Sequence, residues 1–232
     1  FFSRLGEETY DTEKQKRFIT DAGHEIKTPL TIIQANADIL EMEFGENESL
    51  QDIRQQTRRL SELTNDLTLL SRMEESENAL PLIEFPVSEV ISDAAAPFQA
   101  LARQQGKRFI CSIQPMLTLR GNDKAIQRLV LLLLDNALKY TPGDGTIALR
   151  FAAQSRTLCL SVSNPTGTEI TPAELERVFD RFYRTDPSRS SATGGYGIGL
   201  SVAKAIVTAH GGKIQADTQT GHDFRITASF PA

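Results

Sequence analysis

The first third of the chain has the hydrophobic periodicity of two long amphipathic helices. Apolar residues recur at helical spacing from about residue 11 to residue 44, and Gly45-Glu46-Asn47 interrupts the pattern. A second stretch, 49–73, carries two tracks of positions that are seven residues apart. These tracks are Ile53, Leu60, Leu67 and Gln56, Leu63, Leu70. Because a hairpin of two such helices cannot cover its own apolar stripe, we expect two chains to pair into a four-helix bundle.

From residue 77 onward the pattern alternates between helices and strands, so we divide the chain into two domains, 1–76 and 77–232. Pro81 and Pro86 flank a short extended piece just after this boundary. Helices are predicted at about 89–105, 123–140, from 172 onward and at 198–209, and strands near 107–113, 146–151, 157–163, 213–217 and 223–230. The expected fold is a helical hairpin that forms a dimeric bundle, followed by an α+β sandwich with helices on one face of a mixed sheet.

Polar residues predict where several of these helices begin and end. Ser88 and Asn122 each precede a helical run, and such side chains accept a hydrogen bond from a first-turn N–H group. Thr171-Pro172-Ala173-Glu174 has the spacing of a capping box, with proline at the first helical position. His210 precedes Gly211-Gly212, where the last helix is expected to end.

The composition is that of a soluble globular protein and excludes several classes. Of the 232 residues, 40% are apolar and 24% are charged, and the net charge is −5. This acidic balance argues against a nucleic-acid partner. The longest apolar run, Leu129–Leu134, is far shorter than the roughly 20 residues that span a bilayer. Cys111 and Cys159 lie in strand-like runs, so we expect two buried thiols and no disulfide framework.

His24 and Glu25 lie on the first helix, one turn before a proline. Pro29 cannot donate a backbone hydrogen bond, and its ring crowds the carbonyl of Glu25 four residues earlier. The helix is therefore weakened at the turn that carries the His–Glu pair. An imidazole with an adjacent carboxylate, on a helix of this kind, is typical of a phosphate acceptor.

A second candidate site lies on the helix from residue 128 to 140, which is too apolar to be a surface helix. Asn136 and Lys139 are three residues apart and share one face of it. An amide oxygen is a suitable ligand for Mg²⁺, and a lysine one turn away can contact phosphate oxygens. The alternative is an ordinary core helix with a polar C-terminal end.

Thr193-Gly194-Gly195-Tyr196-Gly197-Ile198-Gly199-Leu200 is a glycine-rich stretch that opens directly into a helix. Backbone N–H groups at a helix N-terminus bind anions such as phosphate. The spacing fits neither the Rossmann fingerprint nor a Walker loop. Before it, 179–184 combines aromatic residues with two arginines, and 185–192 is polar with little to bury. This segment predicts a mobile lid; a plain solvated loop is the alternative for both pieces.

The order of these pieces resembles the sensor histidine kinases of two-component systems. His24–Leu30 resembles their H-box, Asp135–Pro142 the N-box, Phe179–Arg184 the F-box and Gly195–Leu200 the second glycine box. The resemblance covers nearly the whole chain from about Lys14. It implies that the first third is a dimerisation and phosphoacceptor hairpin, and that the remainder is an ATP-binding domain of the GHKL superfamily.

The resemblance also implies roles on the hairpin. His24 would be phosphorylated by ATP, and Glu25 would take or hold the proton on the other ring nitrogen. Thr28, one turn after His24, would orient a water molecule for the reverse phosphatase activity. The phosphoryl group would pass from His24 to an aspartate in the receiver domain of a separate response regulator.

The second domain would bind ATP and Mg²⁺. The resemblance implies Asn136 as the metal ligand, Asn164 as the adenine contact, and Lys139 and Arg184 as contacts to phosphate oxygens. The full set of implied nucleotide-binding residues is Asn136, Lys139, Tyr140, Asn164, Arg184, Gly195, Gly197, Gly199 and Leu200.

Two positions depart from the family pattern. Leu132 stands where an asparagine is common, and Asn164 stands where an aspartate usually accepts from the adenine amino group. One alternative is therefore a nucleotide-binding, phosphatase-biased signalling module with weak or no kinase activity. Another is a GHKL-type ATPase that releases phosphate to water. By the same resemblance, a membrane would be reached only through a region upstream of this chain, so that these domains form the cytoplasmic portion of a membrane-tethered sensor.

Overall fold

The computed structural model describes residues 2–45, 47–74, 81–184 and 196–231, and it describes the side chains of the first helix from residue 22 to 44 except that of residue 24. The chain divides into two compact units, Phe1–Ala79 and Leu80–Ala232. The domain boundary predicted between residues 76 and 77 lies outside the described residues. Among the helices of the described part, none is both long enough and apolar enough to cross a membrane.

The first unit is a hairpin of two helices, α1 (Phe2–Phe44) and α2 (Glu48–Glu74). α1 begins nine residues before the start predicted at residue 11, and it continues through Pro29 without a break. Gly45 takes a positive φ of 78° at the end of α1, a conformation that costs little without a Cβ. Asn47 Oδ1 then accepts a 2.9 Å hydrogen bond from Leu50 N, which caps the start of α2.

The seam between α1 and α2 follows positions spaced seven apart, which carry small or hydroxyl-bearing residues and two leucines. Its buried members are Gly23, Leu30 and Ala37 on α1, and Leu50, Thr57, Thr64 and Ser71 on α2; Leu70 is buried beside Ser71. The hydroxyls of Thr57 and Thr64 donate to the carbonyls of Ile53 and Leu60, at 2.7 and 2.8 Å. Burial of these threonines therefore leaves no hydroxyl donor unsatisfied, and short side chains let the two helices pack closely.

The aliphatic residues of the hairpin lie largely outside this seam. Ile53 and Leu60, from one predicted track, are 46% and 42% exposed, and Ile26 and Ile33 of α1 are 49% and 45% exposed. The prediction that the hairpin leaves its apolar stripe uncovered is confirmed for these residues. Burial of such a stripe against another surface is favourable by about 25 cal/mol per Å².

Charged residues also join the two helices near the turn. Arg54 of α2 forms an ion pair with Asp38 of α1, with Nε 3.0 Å from Oδ1, and its guanidinium also contacts Glu41. Within α1, the Gln34 amide donates to Asp38 Oδ1 at 3.2 Å. The ion pairs of Arg54 link α1 to the first turns of α2, next to the connection between the helices.

Gly23 lies where α1 approaches α2 too closely for a side chain, and we predict that Gly23→Ala destabilises the hairpin. A Cβ built on Gly23 would lie 2.3 Å from Thr68 Oγ1 and 3.6 Å from Thr68 Cβ. Alanine normally favours a helix interior over glycine by ~1 kcal/mol. Here the overlap outweighs that gain, and we expect a loss of ~1–3 kcal/mol.

The measurement is hydrogen-exchange protection of α1 and α2 at fixed protein concentration, which reports on this unit separately from the other. Thr68→Ala removes the clashing oxygen, so Gly23→Ala made in that background should be neutral or stabilising. Equal effects of Gly23→Ala in both backgrounds would contradict the account.

The second unit has a short antiparallel pair of strands, β1 (Ile83–Phe85) with β3 (Leu119–Gly121), and a five-stranded mixed sheet. The strands of the sheet are β2 (Arg108–Ile113), β4 (Thr146–Gln154), β5 (Thr157–Pro165), β6 (Lys213–Asp217) and β7 (Asp223–Pro231). Their order is β2-β4-β5-β7-β6. β2 and β4 are parallel, and the remaining neighbours are antiparallel. The sequence pattern did not predict β3.

The helices of this unit are α3 (Val87–Gln104), α4 (Asp123–Tyr140), α5 (Pro172–Arg177) and α6 (Gly199–Ala209). α4 packs against α3, α6 and β5, and α6 packs against β6 and β7. On β5 the residues Leu158, Leu160 and Val162 are buried, whereas the alternate positions are half-buried. One face of the sheet therefore carries the helices, and the predicted α+β sandwich is confirmed.

The capping predictions gave mixed results. Asn122 caps α4 through Oδ1, which accepts from Ala125 N at 2.9 Å, and Thr171 with Glu174 forms the predicted capping box of α5. The prediction that Ser88 caps α3 was wrong, because α3 begins at Val87 and Ser88 therefore lies inside its first turn. The buried Ser88 hydroxyl instead donates to Gln114 O at 2.7 Å and accepts from Leu117 N at 3.1 Å, so it ties α3 to the β2–β3 connection.

The prediction that both cysteines are buried was wrong. Cys111 is exposed on β2, at the edge of the sheet, where no further strand of the described chain covers it. Cys159 is half-buried on β5, at one of the positions that alternate with the core residues. Both thiols are free.

His210 joins the C-terminal end of α6 to the start of α4. Its Nδ1 is 2.7 Å from Ile206 O and its Nε2 accepts from Asn122 N at 2.9 Å, so the ring is neutral with its proton on Nδ1. The ring is buried and meets Phe230 edge to face at 6.2 Å between centroids. Burial lowers the pKa of His210 below its usual value.

We therefore predict that protonation of His210 destabilises the second unit. The unfolded chain binds this proton near pH 6.5, whereas the folded unit binds it only at lower pH. The stabilisation is complete above about pH 6.5 and is lost as the pH falls from there through the lower folded pKa. Urea unfolding of native chain and His210→Gln, followed by exchange protection of α4 and α6, measures this. The stability difference between the two should shrink from pH 7.5 to about pH 5; a constant difference would contradict it.

Candidate functional site

A cavity of about 310 Å³ opens in the second unit, where α4 ends and α6 begins. Its wall is completed by the segment after β5, the segment before residue 185 and the start of β7. Seven residues that the sequence had singled out line this one cavity. They are Asn136, Lys139, Tyr140, Arg184, Gly197, Gly199 and Leu200.

Asn136 offers a half-buried amide to the cavity. It lies two and three residues beyond the fully buried pair Leu133 and Leu134, and their burial fixes the rotation of α4 about its axis. Within the described residues the Asn136 side chain makes no hydrogen bond, so its amide oxygen is available to a ligand. Such an oxygen fits a hard cation such as Mg²⁺.

Lys139 brings a positive charge to the same wall. Its Nζ lies 2.6 Å from Asp135 Oδ2, one turn earlier on α4, and both residues line the cavity. This pair is partly exposed and therefore contributes little to stability. The lysine can exchange its carboxylate partner for a phosphate oxygen when an anion enters. Arg184 adds a second cationic side chain to the lining.

The N-terminus of α6 faces the cavity without a side-chain cap. Its N-cap residue, Ile198, has no side chain that can accept a hydrogen bond, and the next two residues, Gly199 and Leu200, line the cavity. The first N–H groups of a helix have no partner within the helix. Together with the positive end of the helix dipole they suit an anion.

Gly197 holds the segment before residue 185 against the start of α6. It has a positive φ of 72°, and its carbonyl accepts from Phe182 N at 2.9 Å. A Cβ on Gly197 would lie 2.8 Å from Tyr183 O and 2.9 Å from Phe182 C, so any side chain would force the two segments apart. Phe182 itself has a positive φ of 61°, which is unusual for an aromatic residue and is held by this contact.

Aromatic and aliphatic side chains supply the rest of the wall. Tyr140, Tyr183, Tyr196 and Phe224 all line the cavity, together with aliphatic residues such as Ile170. The Arg177 guanidinium lies 4.4 Å from the ring centroid of Tyr183 and holds that ring from outside the cavity. A cavity that is lined by both cationic and aromatic side chains fits a molecule with a phosphate chain and a flat base.

Of the other predicted nucleotide-binding residues, Asn164 is described by the structure and does not line this cavity. Asn164 is buried at the end of β5, and its Nδ2 donates to Pro165 O at 2.8 Å. Gly195 and the predicted lid, 185–192, lie outside the described residues. Glu25 and Thr28 are exposed on α1 in the other unit, where residue 24 is helical. The proposed adenine contact of Asn164 therefore remains a prediction.

Several lining residues were missed by the sequence reading. Asp135 belongs to the quoted N-box stretch but had been given no role. Thr166, Gly167, Thr168 and Ile170 form one wall; they belong with Asn164 to the stretch 162–170, which resembles the first glycine box of the family, but none of them was given a role. Phe224 had no local signal, because its place depends on the pairing of β7 with β5, in which it lies opposite Asn164.

Comparisons with known proteins account for both units. The family model described as His Kinase A (phospho-acceptor) domain matches residues 14–76, and the model described as Histidine kinase-, DNA gyrase B-, and HSP90-like ATPase matches residues 121–232. The chain belongs to the sensor histidine kinases of two-component systems. Residue 24 falls in the first match, and the residues that line the cavity fall in the second.

Sensor proteins of bacteria are similar to this chain along most of its length. It is 31% identical over 224 residues to the phosphate regulon sensor protein PhoR of Pseudomonas aeruginosa, covering 94% of the chain and 50% of PhoR. It is 30% identical over 203 residues to the sensor protein DltS of Streptococcus agalactiae, covering 88% of the chain and 51% of DltS. The chain thus spans about half the length of these curated relatives.

A solved structure shares the fold. The full-length structure of ShkA in complex with AMPPNP matches with a TM-score of 0.76 at 21% identity, over 93% of this chain and 45% of ShkA. This likeness supports the assignment of a helical hairpin followed by a mixed α/β unit.

Leu132 is a lining residue that departs from the family pattern. It is half-buried on α4, one turn before Asn136, and its Cδ2 lies 3.4 Å from where a Cβ of Gly199 would be. The leucine therefore packs against the start of α6, where an asparagine would have offered a second amide. The residues present still fit a magnesium nucleotide, with one amide, two cations and a helix N-terminus.

Proposed function

We propose that this chain is an ATP-dependent protein-histidine kinase that phosphorylates its own His24. The observation that carries the proposal is the convergence of Asn136, Lys139, Arg184 and the uncapped start of α6 on one cavity. Each of these groups binds a different part of a magnesium triphosphate. The family matches support it, because an ATPase-type unit is joined to a phosphoacceptor-type hairpin in one chain.

The nucleophile in this proposal is a ring nitrogen of His24. A neutral imidazole has one unprotonated nitrogen near pH 7, and this lone pair forms a bond to the γ-phosphorus of ATP. The bond from that phosphorus to the bridging oxygen breaks, and its electron pair leaves on ADP. Glu25 accepts the proton from the other ring nitrogen, so the product is a neutralised phosphoramidate. The exposed position of Glu25 on α1 leaves its carboxylate free to do so.

The cavity residues hold ATP as the substrate. Lys139 and Arg184 offset the charge on the phosphate oxygens, and the first N–H groups of α6 bind them from the other side. The Asn136 amide oxygen would hold Mg²⁺, which when bound screens the charge of the phosphate chain. Tyr140 and the other aromatic side chains cover the base. Most of the catalytic effect is then positioning and charge neutralisation.

The partners follow from the exposed hairpin. We propose a homodimer in which the exposed aliphatic residues of α1 and α2 pack against those of a second chain. The phosphoryl group on His24 then passes to an aspartate in the receiver domain of a response regulator. Thr28, exposed one turn after His24, orients water for the reverse phosphatase reaction. We also propose that the chain is the cytoplasmic portion of a longer, membrane-tethered sensor.

A second candidate is a nucleotide-binding, phosphatase-biased signalling module. The observation that favours it is the aliphatic side chain of Leu132 in the cavity wall, where a second amide would help to hold the metal. In that case ATP binds, but transfer to His24 is weak and Thr28 carries the main activity.

The first test is incorporation of label from γ-labelled ATP. We expect the native chain to become labelled and His24→Gln to remain unlabelled, because Gln has no nucleophilic nitrogen. His222→Gln is the matched control, since His222 is exposed in the β6–β7 turn and should label like the native chain. The bond should be labile in acid, as a phosphoramidate is. Label on His24→Gln would refute the assignment, whereas nucleotide binding without label on either chain would support the second candidate.

The second test concerns the metal-dependent part of nucleotide binding. Asn136→Ala should weaken binding of Mg·ATP about tenfold or more, which corresponds to ~1.4 kcal/mol. Gln127→Ala is the control, because Gln127 is an exposed amide on the same helix that does not line the cavity. Calorimetric titration with and without Mg²⁺ measures both. Equal affinity of native chain and Asn136→Ala would remove Asn136 from the site.

A further inference from the structure

The connection between β6 and β7 is organised by the carboxylate of Asp223. Its Oδ1 accepts from the Thr220 hydroxyl at 2.6 Å, from Thr220 N at 2.7 Å and from Gln219 N at 3.1 Å. The Thr218 hydroxyl donates to the same oxygen at 3.2 Å. One acceptor group thus closes the turn from residue 218 to residue 223.

These bonds favour the ionised form of the carboxyl group. The hydrogen bond from the Thr220 hydroxyl, followed by those from backbone N–H groups, lowers the pKa of Asp223 to about 2. At neutral pH the group is therefore an obligate acceptor, which matches the donors that surround it.

The same turn binds the segment after β5 at two points. Gly221 O accepts from Ile170 N at 2.8 Å, and His222 O accepts from Thr166 N at 2.8 Å. Gly221 can present its carbonyl in this way because it adopts a positive φ of 79°. The segment 166–170 is therefore held at both ends by the backbone of a turn that Asp223 closes.

The segment held by this turn is a wall of the cavity. Thr166, Gly167, Thr168 and Ile170 all line it, while Asp223 does not. Thr166 also donates through its hydroxyl to Thr168 O at 2.8 Å, so the segment is closed within itself. The neighbour of Asp223 along β7, Phe224, lines the cavity as well.

We propose that Asp223 is a positioning residue for the nucleotide pocket, acting through the β6–β7 turn on the wall formed by residues 166–170. This inference rests on the proposed function, since it assigns the cavity to ATP. Asp223 touches no group of the cationic side of the pocket, where Lys139 and Arg184 lie. Its loss loosens the wall that encloses the nucleotide without removing any residue that contacts the phosphates. We expect KM for ATP to rise severalfold and kcat to stay unchanged.

The test compares Asp223→Ala and Asp223→Asn with Asp217→Ala in the full chain. Asp217 belongs to the same hairpin and pairs with Arg225 at 3.8 Å. Its replacement by alanine also removes one negative charge, but it leaves the hydrogen bonds of the turn in place. Hydrogen exchange at Thr166 N and Ile170 N is measured without nucleotide, and KM and kcat for labelling of His24 are measured with ATP. We expect Asp223→Ala to exchange about tenfold faster or more at both amides and to raise KM.

The exchange rates and KM of Asp223→Asn should fall between those of Asp223→Ala and the native chain. The amide oxygen of Asn still accepts hydrogen bonds, but its NH₂ group would face other donors. Asp217→Ala should behave like the native chain. Unchanged exchange in Asp223→Ala overturns the inference, and so does faster exchange with an unchanged KM. A parallel fall of kcat in the Asp223 variants and Asp217→Ala would reveal a general structural loss and overturn it too. A native chain that binds no nucleotide would instead overturn the proposed function, and the inference with it.

Discussion

The site depends on the burial of one helix, α4, along most of its length and on its polar end emerging into a cavity. Leu129, Leu133 and Leu134 are completely or almost completely buried against the sheet and neighbouring helices, so α4 cannot rotate about its axis without exposing them. Asn122 caps the start of the helix, and its backbone N–H donates to the His210 ring at the end of α6. With its start and its core face fixed, α4 presents Asn136 at its other end in one orientation. The same packing places the N-terminus of α6 at the cavity. The anion-binding end of this helix is therefore positioned by the core.

The hairpin separates two kinds of packing on the two sides of α2. Toward α1 it presents Thr57, Thr64 and Ser71, whose short side chains allow close approach, and Gly23 of α1 lies against Thr64 and Thr68. Away from this seam it presents aliphatic side chains that one chain leaves exposed. The fold of a single hairpin and the proposed pairing of two hairpins thus use different residues. Gly23, the residue before His24, lies in close contact with Thr68, so the helix that carries the proposed phosphoacceptor is supported by α2 at that point.

Features that depend on local spacing could be predicted from the sequence. The caps at Thr171 and Asn122 follow from side chains within a few residues of each helix start. The hairpin helices follow from the spacing of apolar residues along each helix. The resemblance to the family motifs supplied seven of the nineteen residues that line the cavity. Features that depend on distant partners could not be predicted. Ser88 bonds to residues more than 25 positions away, Cys111 is exposed because β2 is at the edge of the sheet, and Phe224 reaches the cavity through the register of β7 on β5.

The central claim is that a nucleotide held between α4 and α6 gives its terminal phosphoryl group to a nitrogen of His24. Phosphorus NMR of the native chain with ATP and Mg²⁺ tests it most directly, because it distinguishes phosphorus bonded to nitrogen from free phosphate. The account predicts that a protein-bound phosphoramidate resonance grows in step with ADP and is absent from His24→Gln. Free phosphate appearing in step with ADP, with no resonance bound to the protein at any time, would contradict it.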